Sequence, residues 1–544
     1  MERLKMSKPF RHVEMNRPRR SAFDLSHYKI IDVDMGMLVP VLCKNMVPGD
    51  HFKISNEIVL RVNPMVAPIM HEINIFVHYF FCPLRPMWPK PRLNETDPVE
   101  PGSWEEFFTG GRDGTLAPKK PKWIPDGSRH LLWDQFGFPV NNLGQAIAPA
   151  ADGPQVDAWP LRAYNWVYNL YYRDKNYQDE VDLDDQRSRW RCWEKDYFTT
   201  ALPWTQRGTA PALPISGLTN AEFMGLISAG TQPADYSGIS NHFVSTGTLG
   251  DPLTYRANYP TGESFNVDQV RDWFNNNQVD LSNAATFDVN DLRLAFQTQK
   301  FLERNARAGT EYKDQLMAHY GVYPRDDRLQ RPEYIGGTRA PIIVSEVLQT
   351  SSTDSASPQG NLSGHGMAVS RSYAASYYAK EFGVVLGIMS IMPRPVYQQG
   401  IDREWLGDTR YDLLLPEFVS LGEQPVYNME IYTTPDDPNY NKGTFGFNGR
   451  FDEYRTARNI VCGKMRNGVP DSLGFWHVAR YFANRPALNE DFISTWDNTS
   501  NGTNIRKDFL AVPSQRGFIV TFGNIIRAVR PLPAVGTPGL IDHH

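Results

Sequence analysis

The chain has 544 residues, which is long for one domain, and its formal net charge of −5 is small for this size. No window approaches the roughly 18 apolar residues of a membrane span, and the basic, polar first 20 residues do not resemble a signal peptide. The cysteines are scattered without a C-x-x-C pair, which argues against a zinc site and a disulfide framework and suits a reducing cytoplasm. They are Cys43, Cys82, Cys192 and Cys462.

The first 22 residues are predicted to form a mobile, basic arm. Residues 1–20 hold seven Lys and Arg against Glu2 and Glu14, show no hydrophobic periodicity and include Pro9 and Pro18. Cationic side chains on a flexible segment neutralise phosphates without reading the base sequence. The arm therefore indicates nucleic-acid binding through Lys5, Lys8, Arg11, Arg17, Arg19 and Arg20. Two alternatives stay open: an ordinary basic terminus, and a strap that lies over a neighbouring subunit.

The stretch from Phe23 to Trp88 has the pattern of short strands joined by tight corners. Between residues 52 and 62 five of the six apolar side chains occupy even positions, which predicts a strand with one buried face. Between 73 and 81 both registers are apolar, so that strand is expected to be covered on both sides. Pro48-Gly49-Asp50 predicts a turn, and prolines at 64 and 68 predict a crossover between sheets. These features favour a mostly β fold, namely a β-sandwich.

Helices are predicted in two places beyond this stretch. Residues 161–173 carry apolar side chains at three- and four-residue steps and predict an amphipathic helix. The strongest helical pattern runs over 289–308, with Asp288 or Asn290 as its cap. Its apolar face consists of Leu292, Ala295, Phe296 and Leu302, and its basic stripe of Arg293, Lys300, Arg304 and Arg307. The long connection at 89–160 is expected to pack against neighbours through Trp104, Trp123, Trp133 and Trp159.

Residues 208–288 are predicted to be a surface insertion. They are polar, rich in Gly, Asn, Ser and Asp, and hold two arginines against eight acidic residues. Buried or partly buried strands are predicted after them at 382–392, 518–522 and 525–529. The predicted organisation is an arm, a β domain in two parts and the insertion between these parts: 1–22, 23–207 with 289–544, and 208–288.

The motifs that carry enzyme chemistry are incomplete. His71-Glu72 lacks a second histidine at position 75, so His71 is expected to pack or hydrogen-bond near the start of a strand. The acidic run Asp182, Asp184 and Asp185 lacks the spacing of a calcium loop and favours a solvated loop. No phosphate-binding glycine loop and no nucleophile elbow is found in the sequence. The sequence therefore predicts no catalysis, no cofactor and no metal site.

Dense motifs recur from the start to the end of the chain. They are Phe23-Asp24-Leu25-Ser26-His27, Pro48-Gly49-Asp50, Phe80-Phe81-x-Pro83-x-Arg85-x-x-Trp88, Arg328-Leu329-Gln330-Arg331-Pro332-Glu333-Tyr334-Ile335-Gly336-Gly337, Leu421-Gly422-Glu423-Gln424 and Arg530-Pro531-Leu532-Pro533. In this order they resemble the major capsid protein of microviruses, particularly of the gokushovirus-like single-stranded-DNA bacteriophages. The resemblance covers nearly the whole chain except residues 1–20 and 209–288.

The resemblance implies an eight-stranded antiparallel jelly roll of the viral capsid type, with long loop insertions that contain short helices. It implies a structural protein that self-assembles in the bacterial host cytoplasm into a T=1 icosahedral shell around a circular single-stranded DNA genome. The implied partners are a minor pilot protein, a small basic DNA-packaging protein and a scaffolding protein. In this family the insertion forms protrusions at the three-fold axes. Residues 208–288 are therefore expected to face a host cell-surface receptor, and the arm to face the DNA.

One alternative function stays open. Thirteen tryptophans with abundant Asp and Glu also suit a carbohydrate-binding or glycoside-hydrolysing β-sandwich protein. Glycosidase chemistry needs two carboxylates placed across a cleft, and aromatic residues are equally typical of subunit interfaces. Electron microscopy of the expressed chain distinguishes the two hypotheses, because closed shells or pentamers indicate a capsid protein and monomers that bind glycans indicate a carbohydrate-active one.

Overall fold

The computed structural model of the chain describes residues 19–88, 104, 107, 119–125, 131–142, 144–145, 155–206, 289–307, 331–348, 362–497 and 502–535. The chain divides into two compact units, one made of residues 1–205 with 305–544 and the other of 206–304. The predicted insertion at 208–288 and most of the predicted arm lie outside the described residues.

The strands, in chain order, are β1 (Ser21–Asp24), β2 (His27–Val33), β3 (Val39–Met46), β4 (His51–Val62), β5 (Ile73–Pro83), β6 (Lys122–Trp123), β7 (Val156–Asp157), β8 (Glu333–Pro341), β9 (Ile343–Leu348), β10 (Leu362–Tyr378), β11 (Gly383–Pro393), β12 (Glu423–Tyr427), β13 (Thr444–Gly449), β14 (Trp496–Asp497), β15 (Gly502–Thr503) and β16 (Phe518–Arg530). The α-helices are Leu84–Met87, Leu131–Gln135, Trp159–Val167, Val289–Arg307, Asn428–Ile431, Pro438–Lys442 and Glu490–Ile493. A π-helical turn follows at Tyr168–Tyr172, and 3-10 turns lie at Arg403–Trp405, Arg410–Asp412, Pro416–Phe418, Asp452–Tyr454, Gly463–Met465 and Gly474–Trp476.

Two antiparallel sheets build the first unit. In the larger, six-stranded sheet, β16 lies between β4 and the successive strands β1 and β2, and the order continues from β4 through β10 to β9. In the smaller, four-stranded sheet the order is β3, β11, β5, β8. The fold is therefore mostly β and antiparallel, which confirms the fold class that the side-chain pattern predicted.

The two sheets enclose one apolar core. β4 alternates buried and outward side chains along its whole length, which confirms the strand predicted at 52–62. Its inward side chains Phe52 and Ile54 share a buried cluster with Ile75 and Val77 of the smaller sheet. Burying such side chains stabilises the fold by about 1.5–3 kcal/mol each, so this cluster holds the sheets face to face.

The two predicted corners are also present. Gly49 in the turn before β4 has a φ of +92°, a conformation that favours glycine. The connection through Pro64 and Pro68 carries the chain from β4 in the larger sheet to β5 in the smaller one, as predicted. A proline cannot donate to a central ladder, which is why both residues lie between the strands and not within them.

Two buried asparagines cross the core. Asn56 of β4 and Asn524 of β16 lie opposite each other in the register of the larger sheet. The Nδ2 of Asn56 donates to Thr338 Oγ1 at 2.7 Å, and the Nδ2 of Asn524 donates to the Val41 carbonyl at 2.9 Å. Both acceptors belong to the smaller sheet. Because buried polar groups need partners, these two bonds specify how the sheets face each other.

An aromatic layer covers the outer face of the smaller sheet. Trp123, Trp133 and Trp159 are buried there against Phe80 of β5, and Trp104 packs on the same layer. The predicted packing of the 89–160 connection through its tryptophans is thus confirmed. The layer also explains why β5 is apolar in both registers, since its two faces contact two different clusters.

The helix predicted at 161–173 is more buried than its pattern indicated. It begins at Trp159, turns π-helical after Val167 and is covered on its polar side as well. There Arg162 donates from Nε to Asp184 Oδ1 at 2.8 Å and from Nη2 to Asp184 Oδ2 at 3.1 Å. Asp185 pairs with two further arginines. The helix predicted here is thus present, but its polar side is buried against the acidic loop. The prediction of a solvated acidic loop was wrong, because Asp184 and Asp185 are held by arginines.

The end of the chain differs from its prediction in one respect. The strand predicted at 382–392 is β11, which is buried at every position. The strands predicted at 518–522 and 525–529 are one continuous strand, β16. Asn524 does not interrupt it, because its side chain points into the core and bonds to the opposite sheet.

The second unit contains most of the helix Val289–Arg307, which confirms the helix predicted at 289–308. Lys300 and Arg304 of the predicted basic stripe are exposed, but Phe296 of the predicted apolar face is exposed as well. Asn290 lies inside the helix and not at its cap. Of the helices in the described ranges, none has the length and apolarity to cross a membrane.

All four cysteines are free thiols. Burial raises the pKa of the Cys43 and Cys192 thiols to about 12, so both remain protonated at neutral pH. Since the thiolate is the reactive species, these two residues act as small packing groups.

Replacing the buried carboxylate at the start of β4 is expected to destabilise the sandwich. Asp50 is fully buried, and its Oδ2 accepts from Arg530 Nη2 at 2.8 Å and from the Val47 amide at 2.9 Å. Asp50→Asn replaces the charged acceptor of this pair by a neutral amide and is expected to cost about 2 kcal/mol of unfolding free energy, because the partly buried Arg530 loses a charge-assisted hydrogen bond. Asp408→Asn, which removes an exposed pair with Lys442 at 3.8 Å, is the control and should cost less than about 1 kcal/mol. Urea unfolding of the unassembled chain measures both, and equal effects would contradict the role given to Asp50.

Candidate interaction surface

The structure places two of the six basic residues that the sequence singled out. Arg19 and Arg20 are exposed at the entry to β1, and Lys5, Lys8, Arg11 and Arg17 lie outside the described residues. Arg20 donates from Nη2 to the Tyr378 hydroxyl at 3.2 Å, and its guanidinium lies 5.6 Å from the centre of that ring. The arm therefore enters the sandwich at the end of β10, where the larger sheet is exposed.

His71 lies just before β5 and is a packing residue, as predicted. Its Nε2 is 2.8 Å from the Arg394 carbonyl oxygen, and burial lowers its pKa to about 4. The adjacent Glu72 accepts from Arg394 at 2.9 Å and from Arg339 at 3.0 Å. A neutral histidine beside a carboxylate held by two arginines joins the strand ends.

Within the described ranges, no group of three or more His, Cys, Asp and Glu side chains could hold a metal ion.

A run of exposed apolar side chains stands out on the first unit. We call residues 405–421 the apolar segment. Its large hydrophobic side chains point to solvent, Trp405 with 76% and Leu421 with 64% of their surface exposed. The other members are Tyr411, Leu413, Leu414, Leu415 and Val419. Soluble monomers rarely expose so contiguous an apolar run unless it contacts another molecule.

A buried charge pair holds the start of the apolar segment. Arg403 donates from Nη1 to Glu430 Oε1 at 3.0 Å, and its guanidinium lies 4.1 Å from the centre of the Tyr427 ring. Burial raises the pKa of Glu430, and the bonds from the Tyr427 amide and from Arg403 oppose that rise. The Tyr197 hydroxyl donates to the other carboxylate oxygen at 2.9 Å. The segment is thereby tied to a third apolar cluster of the unit.

Further contacts fix the middle of the segment. Asp412 Oδ2 accepts from the amide and the hydroxyl of Thr409, both at 2.9 Å, which closes a 3-10 turn. Arg450 donates to the Tyr411 carbonyl at 2.7 Å, and the Tyr411 ring packs edge-on against Phe418 at 5.8 Å. The exposed leucines are thus presented by a rigid backbone, which lowers the entropy lost when a partner binds.

Sequence reasoning missed this surface. The available signal was Leu413-Leu414-Leu415, three consecutive leucines in a stretch that is otherwise rich in Asp, Gly and Pro. A short apolar run of this kind is equally typical of a buried strand. Only the tertiary structure shows that the three side chains face outward.

Comparisons with known proteins agree with one another. A family model described as capsid protein (F protein) matches residues 11–540. The chain is 32% identical to capsid protein VP1 of Chlamydia phage 1 over 98% of both chains, and 30% identical to capsid protein VP1 of Bdellovibrio phage phiMH2K over 92% of both. It is 28% identical to capsid protein VP1 of Spiroplasma virus 4, over 96% of this chain and 95% of that protein. Each match runs almost end to end, so the similarity concerns the whole architecture.

Charged substitutions in the apolar segment are expected to stop self-association without unfolding the chain. The variant Leu414→Asp with Leu421→Asp places two carboxylates where a partner would bury apolar surface, which disfavours the contact strongly. Both positions are exposed, so the unfolding midpoint should change little. Met70→Asp, at an exposed methionine outside the segment, is the control. Sedimentation velocity measures the effect, and a double variant that associates like the parent would show that the segment is not a contact.

Proposed function

The chain belongs to the capsid protein (F protein) family, and on that premise we propose that it is the subunit of a T=1 icosahedral shell around a circular single-stranded DNA genome. As a phage capsid protein it is a structural component of the virion. The observation that carries the proposal is a rigid β-sandwich that presents an exposed, firmly anchored apolar segment. A wall built from many copies needs both features, because a stiff subunit and apolar contacts together make a closed assembly favourable.

The strand order supports a jelly roll. If β1 with β2 counts as one interrupted strand and β9 as an addition at the edge, eight strands remain, four in each sheet. Along the chain they alternate between the sheets except at β5 and β8, which are neighbours in the smaller sheet. The first and last strands pair in the larger sheet. This is the connectivity of two nested Greek keys.

The carbohydrate hypothesis has less support than the capsid hypothesis. It depended on tryptophans that could stack on sugars, but Trp123, Trp133 and Trp159 are buried in the aromatic layer. Tryptophan NH and ring groups inside such a layer have no surface to offer a glycan. These residues pack against the smaller sheet and stabilise the sandwich, which supports a capsid subunit. Trp405 is the tryptophan that is mostly exposed among the described residues, and it lies in the apolar segment.

The remaining partners follow from the family resemblance. The insertion at 208–288 is proposed to face outward and bind a host cell-surface receptor. All strands of the two large sheets come from outside 206–304, so an insertion there leaves the sandwich intact. Inside the shell, a minor pilot protein, a small basic DNA-packaging protein and a scaffolding protein are the proposed partners. The arm at 1–22 is proposed to contact the DNA.

The shell is tested by expressing the chain and imaging the product by electron microscopy. Closed particles of uniform size are expected from the parent chain, and their nucleic acid should resist nuclease. Monomers that bind glycans would overturn the proposal and revive the carbohydrate hypothesis. Particles from the Met70→Asp control should resemble those of the parent, whereas the double variant of the apolar segment should give no closed particles.

The arm is tested through the salt dependence of DNA binding. Replacing its six cations Lys5, Lys8, Arg11, Arg17, Arg19 and Arg20 by Gln should flatten the log–log salt slope by up to about four units, since each phosphate contact on a single strand contributes about 0.7. The melting temperature should not change. Lys442→Gln with Lys464→Gln, two exposed cations elsewhere, is the control. If the arm is a strap over a neighbouring subunit, the Gln variant will bind DNA normally but assemble poorly. That outcome would contradict the genome-binding role of the arm.

A further inference from the structure

The outer face of the larger sheet differs from the outer face of the smaller sheet. We call the outer face of the larger sheet the open face. The aromatic layer buries the outer side of the smaller sheet, whereas outward side chains of β2, β9 and β10 are exposed to solvent. Tyr28 is 73%, Ile343 70% and Val369 64% exposed. A sheet face this apolar is normally covered, so it is expected to meet a partner.

Cations are distributed across the open face. Outward positions of β4, β10 and β16 carry Lys53, Arg61, Arg371 and Arg527. The register places Arg527 opposite Lys53 on adjacent strands. In the described part of the chain none of these four makes an ion pair within 4 Å. Four unpaired positive charges therefore lie on one surface.

Few carboxylates oppose these cations. Asp32 at the edge of the face is paired with Arg516 at 2.8 Å. Asp24 of β1 lies opposite Arg527 in the register and also accepts from the Ser26 amide. Glu57 lies opposite Arg371, so the four cations face two carboxylates. The face is thus positive in a chain whose net charge is −5, and its charge complements an anionic partner.

Aromatic rings lie between the cations. Tyr28, Tyr373 and Tyr378 are outward and about half or more exposed. Tyr373 is opposite Ser55 and Tyr378 opposite His51, so small or polar neighbours leave their rings accessible. Exposed tyrosines on a β-sheet stack on unpaired bases, and nearby Arg and Lys neutralise the phosphates between them.

We propose that the open face binds single-stranded DNA, with Tyr28 and Tyr373 stacking on bases and the four cations contacting phosphates, while Tyr378 holds Arg20 at the edge of the site. This rests on the proposed function, in which such a strand is enclosed by the shell. A protein partner fits less well, because the centre of a protein interface is depleted of unpaired charge. Duplex DNA fits less well too, because its bases are stacked on one another and their faces are not accessible to tyrosine rings on a sheet.

The route of the arm gives independent support. β1 begins directly after Arg20 and forms the edge of the same sheet. Arg20 already contacts Tyr378, one of the three rings of the open face. Arg19 and Arg20, the described end of the arm, therefore adjoin the open face, and a strand bound to the face can contact these two cations as well.

The test uses the full-length chain that carries the six arm substitutions, so that the face is measured alone. Binding of fluorescent oligo(dT) is followed at several salt concentrations. Changing the four cations to Gln should flatten the salt slope by about three units. Changing Tyr28 and Tyr373 to Thr, which suits a strand, should weaken oligo(dT) binding by about tenfold or more and leave duplex binding unchanged. The matched control replaces Lys442, Lys464, Arg466 and Arg485 by Gln and should bind like the parent.

The outcomes separate this inference from the proposed function. If closed particles form but the face variants bind oligo(dT) like the control, the open face is not a DNA site and the shell still stands. If the variants bind oligo(dT) normally but fail to associate, the open face is a protein contact and the inference is overturned. If no particles form from the parent chain, the proposed function fails, whatever the DNA binding shows. An unchanged melting temperature is required of each variant.

Discussion

The sandwich depends on one constraint: its last strand has to lie between strands that come from the first residues of the chain. β16 pairs with β4 on one side and with β1 and β2 on the other. Pairing over such a separation costs loop-closure entropy before any contact stabilises it, so the larger sheet closes only when the whole chain is present. Ion pairs at both ends of β16 secure it, Arg516 with Asp32, 484 residues apart, and Arg530 with Asp50.

The position of β16 also sets how the two sheets face each other. It aligns Asn524 with Asn56, and each asparagine reaches a different strand of the smaller sheet. Sliding β16 by one residue would turn Asn524 outward, away from Val41, and bring Thr521 and Arg527 into the core. The same register places cations and tyrosines on the open face, while tryptophans cover the opposite side of the sandwich. A subunit with one covered and one open face is suited to a wall that separates two environments.

The regular parts of this fold could be predicted because their cause is local. Alternation along β4, the doubly apolar β5 and the buried β11 each follow from side chains that point to defined faces. The same periodicity predicted the helix at 161–173, but it also indicated a solvent-facing side that the structure does not have. Arg162 and Asn165 look like a solvent-facing side, but both are buried against the acidic loop that begins at Asp182. Hydrophobic periodicity shows only which side chains are polar. It does not distinguish a polar side chain exposed to solvent from one buried in an ion pair or hydrogen bond.

The sequence by itself determined the fold class, the corners and the membership of a capsid family, because strand patterns and ordered motifs are properties of the chain as written. It also indicated a basic arm, whose partner remains a proposal. Only the tertiary structure decided which apolar residues are core and which are surface. Leu413-Leu414-Leu415 and the strand residues of the open face have the composition of buried segments, yet they point to solvent. The physical reason is that burial depends on what a distant part of the chain places opposite each side chain, and no local pattern contains that.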